Sequence, residues 1–111
     1  HLYIQRQSIS MKFAGFQWDA GNWPKCGRHG LTKAEIEAVF GRGVAIAPDI
    51  RHSEAEERHI AIGRTGDDKP VFVGFALRTQ DGRVLIRPIT ARYMHAKEVR
   101  RYEAQGSTDE N

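Results

Sequence analysis

The chain has one cysteine, Cys26, in 111 residues. That excludes an internal disulfide framework and fits a reducing compartment. Long hydrophobic runs are absent as well. No apolar stretch approaches the roughly 18–20 residues that span a bilayer, and no targeting pattern is read at the start, so a cytoplasmic protein with no membrane contact is expected. Acidic residues do not gather as a magnesium site requires. A zinc site would need Cys26 and His29 with two of His52, His59 and His95, and the second ligand pair that structural zinc sites show is missing. No metal and no other cofactor is expected. There is no internal repeat, and the length suits one core.

What is present reads as an ordinary folded domain with a basic tilt. The net charge of +3 permits an acidic partner without proving one, so the placement of the arginines matters more than their number. Residues 1–10, "HLYIQRQSIS", share no period with the segment after them and are expected to be an upstream or non-native tail or, equally, an ordinary first strand, since Leu2 and Ile4 alternate with polar neighbours. The domain proper is expected over 11–105, and the small polar end, 106–111, is expected to fray.

"FAGFQW" (13–18) suits a short strand with Phe16 and Trp18 on one face. Asp19 can cap a short helix through 20–30, limited by Pro24, Gly27 and Gly30. "LTKAEIEAVFG" (31–41) is the clearest helix. Thr32 and Glu35 form a capping box, Leu31 can staple onto Ile36, and Gly41 supplies the stop. The period then changes. Segments 44–47, 58–65, 71–78 and 83–92 are rich in β-branched and aromatic residues and read as strands. "GDDK" and "QDGR" are tight connections, with Asp81-Gly82 suited to a type I′ turn, so the later strands form an antiparallel meander. Pro88 places its strand at an edge or a bulge. A basic helix is expected from about residue 92. The fold class is α+β: an antiparallel sheet of four to five strands, with two N-terminal helices and a basic C-terminal helix packed on it.

The chemistry lies with arginine and histidine. If Ile60 and Ile62 face the core, alternation puts Arg58 and Arg64 on that same face, where each needs an anion: a carboxylate such as Glu54, Glu56 or Glu57, or a ligand phosphate. Arg92 stands where the last strand becomes the last helix, with His95 one turn on. Arg87, Arg92, His95 and Arg100 are expected to accumulate at one end of the sheet. "KCGRHG" adds Lys25, Arg28 and His29. A metal-free set of this kind suits RNA cleavage by its own 2′-hydroxyl, with histidine moving protons and arginine holding charge on the phosphorane. It suits RNA binding equally well.

The run "FQWD…HGLTKAEIEAVF", then "EERHIAIGRT", then "LIRPITARYMHAKEVRRYE" resembles the BrnT family of type II toxins across residues 13–103. The resemblance implies a RelE-like fold, RNA as substrate, and a BrnA-like antitoxin through which alone the protein would contact DNA. Trp18 and Asp19 match the family's opening Trp-Asp. His29 and Gly30 match its Lys-His-Gly, with Arg28 in the lysine's place. Arg58, Gly63 and Arg64 match the "R…IGRT" block, and Arg87 and Arg92 match the two arginines of the last block. His59 and Pro88 depart from the pattern, and the first spacing is one residue shorter.

The resulting expectation is a metal-independent endoribonuclease toxin that inhibits translation. Arg58 and Arg92 would stabilise the transition state, His29 would transfer a proton and Lys25 would support it. Arg64, Arg87 and His95 would hold substrate. The competing expectation is a non-catalytic RNA- or partner-binding module with a basic face.

Overall fold

The computed structural model describes residues 5–6, 13–41, 44–49 and 56–109. Its centre is a long hairpin. β5 (Pro70–Gln80) and β6 (Arg83–Tyr93) are joined through Asp81 and Gly82, whose φ values are +54° and +76°. Two successive left-handed residues give the turn whose twist matches that of the paired strands, so the hairpin forms where the sequence puts it. β4 (Arg58–Arg64) adds antiparallel to β5, and β3 (Ala45–Pro48) antiparallel to β4. β1 (Gln5–Arg6), within the segment set apart in the sequence, pairs with Ala45 and Ile46. The rest of residues 1–12 lies outside the described residues.

On the other flank β2 (Gly15–Phe16) pairs with β6 in parallel, giving the order β1-β3-β4-β5-β6-β2. Leaving the two-residue β1 aside, this is a five-strand mixed sheet, which corrects the expectation of a wholly antiparallel one. The reason is connectivity. Tight turns dictate antiparallel neighbours, whereas β2 reaches β6 only through the rest of the domain, so no hairpin sets its direction. Opposite Gly74 stands Thr90, and opposite Phe75 stands Pro88, so Ile89 is an extra residue and β6 bulges there. Of the two places open to a strand proline, Pro88 takes the bulge.

Helix α1 (Lys33–Val39) carries the full capping box: Glu35 donates its N–H to the Thr32 hydroxyl, and the Thr32 N–H donates to the Glu35 carboxylate. Its companion does not form. Residues 20–24 turn, and only a 3-10 turn, Lys25–Gly27, follows. Gly21, Pro24 and Gly27 deny helical propagation, and the Trp23 ring lies over Gly27 so closely that a Cβ there would stand 2.6 Å from it. The two expected N-terminal helices are therefore one helix and one turn.

α1 covers one face of the sheet. Ile36, Val39 and Phe40 pack on Ala61, Val71, Val73, Phe75 and Ile86, and the Phe40 ring meets Phe16 and Phe75 edge-on at 5.5 and 5.2 Å. Ile60 and Ile62, expected in this core, are half-buried on the opposite face. The helix sits too close for them: a Cβ on Gly63 would come within 2.8 Å of the Val39 carbonyl oxygen. Small residues therefore occupy β4 beneath α1.

The C-terminal helix α2 spans Ala96–Asp109, because β6 continues through Tyr93. Among the described residues it makes no broad contact with any strand, so it is not the sheet-packed helix expected. No described helix is long and apolar enough to cross a membrane.

Candidate functional site

The face turned away from α1 carries Arg58, Arg87 and Arg92. Strand register sets three rows across it: Arg58, Ala76 and Arg87; Ile60, Gly74 and Thr90; Ile62, Phe72 and Arg92. A cavity of about 240 Å³ opens here, floored by Phe72, Gly74, Ile89 and Thr90 and walled by Lys25 and Arg28 together with Arg58 and Asp49. Gly74 keeps the floor low, since a Cβ there would stand 2.9 Å from the Thr90 methyl.

Lys25 and Arg28 reach the cavity because the loop carrying them is fastened to β6. Buried Asn22 donates its amide to the carbonyls of Gln17 and Pro88 at 3.0 and 2.9 Å and accepts the Asp19 N–H at 2.9 Å. Arg87 adds a fork onto the Asp19 carboxylate at 2.9 and 3.0 Å, with a third bond to Gln17. The Arg87 bond, then the Gly21 N–H, hold the Asp19 carboxyl below its ordinary range, and Asp19 raises Arg87 in turn. In this structure Arg87 fastens the loop.

Arg92 is held differently. Its guanidinium lies over the Phe72 ring, 4.6 Å from the centroid, and donates end-on to both oxygens of Glu98 at 2.9 Å. Glu98 also accepts the His95 N–H at 3.1 Å. The Arg92 bonds first, then that N–H, lower the Glu98 carboxyl from 4.5 to about 2. Arg92 belongs to β6 and His95 precedes α2, so they do not share a helix face as expected.

The structure thus brings Lys25 and Arg58 around one cavity, with Arg28 beside them and Arg92 adjoining through Phe72. It does not bring in the others. Arg64 donates to the Asp68 carbonyl at the β4–β5 turn. His29 and His95 are exposed and do not line the cavity. Arg87 and Arg92 flank the Gly74–Thr90 row on opposite sides, so the expected accumulation at one end of the sheet is replaced by two separate clasps. Glu56 pairs with Arg78, and Glu54 lies outside the described residues.

Sequence reasoning missed Glu98, whose signal was its place three residues after His95, where a carboxylate reaches back to a helix start. It noted Arg28 without assigning it a role, and it passed over Asp49 and Phe72, which carry no local signal.

Comparison with known proteins now bears on this geometry. A family model described as the ribonuclease toxin BrnT of type II toxin-antitoxin systems matches residues 18–98. No individual curated protein matches the chain. The matched span runs from Trp18 to Glu98 and contains every residue of the cavity.

Proposed function

The chain belongs to the BrnT family, ribonuclease toxins of type II toxin-antitoxin systems, and from that premise we propose that RNA is cut at the cavity of the open face without a metal ion. The observation that carries this reading is the gathering of Lys25, Arg28 and Arg58, with Asp49 beside them, around a floor of Phe72, Gly74, Ile89 and Thr90. Three cations around one cavity suit a phosphate whose charge grows as a 2′-oxygen attacks it. Arg58 offers the planar fork that grips two phosphate oxygens, and Lys25 offers a compact charge beside it.

In this scheme the 2′-hydroxyl loses its proton, its oxygen bonds to phosphorus, and the bond to the 5′-oxygen breaks as that oxygen gains a proton. His29, next in the chain to Arg28, is our candidate for one proton transfer and His95 for the other. Arg92 stabilises the phosphorane from the Phe72 side. Arg64 guides the strand at its far end, and Arg87 serves substrate by holding the loop of Lys25 and Arg28. The partner is a BrnA-like antitoxin that occupies this basic face and alone contacts DNA, and the protein acts in the cytoplasm.

A binding-only reading has one observation in its favour: neither histidine lines the cavity. Incubation of a labelled mRNA with the protein in excess chelator separates the two. Cleavage that survives chelation and is lost in Arg58→Ala supports the proposal. RNA bound but uncut supports the alternative, and cleavage abolished by chelation overturns the metal-free mechanism.

A further inference from the structure

The first turn of α2 carries a carboxylate with two duties. Glu98 takes the end-on pair of Arg92 donors and also accepts the His95 N–H that opens the helix. On its other side the Arg92 guanidinium is pressed to Phe72, and Phe72 is part of the cavity floor. Among the described residues α2 has no broad contact with the sheet, and this bracket is one tie described between it and the body of the protein.

Resting on the proposed RNA site, we infer that Glu98 is a positioning residue for RNA cleavage: it fixes the Arg92 guanidinium on Phe72 so that a phosphate meets its side-on edge. A guanidinium has five N–H donors in one plane, and a carboxylate gripping it end-on leaves the Nε side for a second anion. An arginine without such a bracket would spread over several rotamers, and the chance of finding it correctly placed when charge develops would fall. Glu98 acts as a fixture and not as a stand-in for the phosphate. Displacing it from Arg92 would also disturb the helix start at His95, so substrate has no cheap way to exchange with it.

The experiment follows cleavage of a 5′-labelled mRNA in a cell-free translation extract. The proteins compared are the full chain and its Glu98→Ala, Glu98→Gln, Arg92→Ala and Arg92→Ala/Glu98→Ala variants, with thermal melting alongside. Glu98→Ala is expected to lower the maximal rate by on the order of 10- to 100-fold with little change in half-saturating RNA. Glu98→Gln, which keeps one acceptor oxygen, falls between it and the wild type. The double variant matches Arg92→Ala alone, because a fixture has nothing to hold once its arginine is gone.

A wild-type rate in Glu98→Ala beside an impaired Arg92→Ala overturns the inference and leaves the RNA site standing. Tighter RNA binding or faster cleavage in Glu98→Ala overturns it by making Glu98 a competitor of RNA. A double variant slower than Arg92→Ala by the full Glu98→Ala factor overturns it by making Glu98 a residue of the fold. A wild-type rate in Arg92→Ala removes Arg92 from the site and the inference with it.

Discussion

Along β4 and β5, neighbouring residues meet opposite surroundings. Ala61, Val71 and Val73 are wholly buried, while Ile60, Ile62 and Phe72, one position away on the other face, are half-buried among arginines. The same two strands therefore supply the core and the candidate site. The covered face is fitted to α1 down to the absence of a side chain at Gly63. The open face keeps its apolar residues as flooring between charges. Strand alternation puts the two sets on opposite faces, so a side chain of one should be changeable with little effect on the other.

That separation can be tested from both sides. The largest effect on stability is expected at Ile36, wholly buried in α1. Ile36→Ala should cost about 2–5 kcal/mol, read from the denaturant midpoint, and reduce activity only as far as it unfolds the protein. Arg58→Ala should lower cleavage by about 100- to 1,000-fold, or roughly 2.7–4 kcal/mol, with a smaller loss of stability than Ile36→Ala. Equal loss of stability at both positions would show that the faces are not independent.

Asn22 ties the cavity wall to the sheet and so belongs to both regions. Asn22→Ala strands the carbonyls of Gln17 and Pro88 and the Asp19 N–H, which should cost about 1–3 kcal/mol. It should also weaken RNA binding by loosening Lys25 and Arg28. An effect on stability without one on binding would detach the loop from the site.

A smaller effect should appear in acid. The folded carboxyl of Glu98 titrates at about 2 against an ordinary 4.5, so its bracket with Arg92 contributes fully above about 4.5 and fades as the pH falls towards 2. Asp19 and Glu35 are lowered in the same direction. Between these limits the fall in stability should be shallower in Glu98→Gln than in the wild type. Parallel curves would mean that the bracket does not stabilise the fold. The smallest effect is reserved for Arg101, exposed on α2: Arg101→Ala should change stability by no more than about 0.5 kcal/mol and leave cleavage unchanged.

Local signals were legible in the sequence where a few adjacent residues settle the outcome. Thr32 with Glu35, Asp81 with Gly82, and the β-branched runs specify their own geometry, so α1 and the β4–β5–β6 meander could be read directly. The parallel seam of β2, the face of β4 that meets α1, and the loop in place of a first helix depend on partners far along the chain. Ile60 and Ile62 looked like core because their chemistry suits burial, yet closeness of the α1 backbone decided the matter. The site divided in the same way. Arg58 and Arg92 stood out as arginines in a family pattern and Lys25 as a cation near His29, whereas Arg87's clasp on Asp19 spans 68 residues and Phe72 became part of the site only through its register with Arg92.

β6 is paired on both sides, by β5 and by β2, yet it is made late. During synthesis, at roughly 5–20 residues per second, Lys25 and Arg28 leave the ribosome well before the strand that will hold their loop. Asp19 waits for Arg87, Asn22 for the Pro88 carbonyl, and the cavity for Thr90. A nascent chain halted before residue 83 lacks Ile89 and Thr90 from the floor beneath its basic wall. The order of the strands is thus a timer as well as a scaffold: the cavity is assembled only once the translating ribosome has carried the chain through β6.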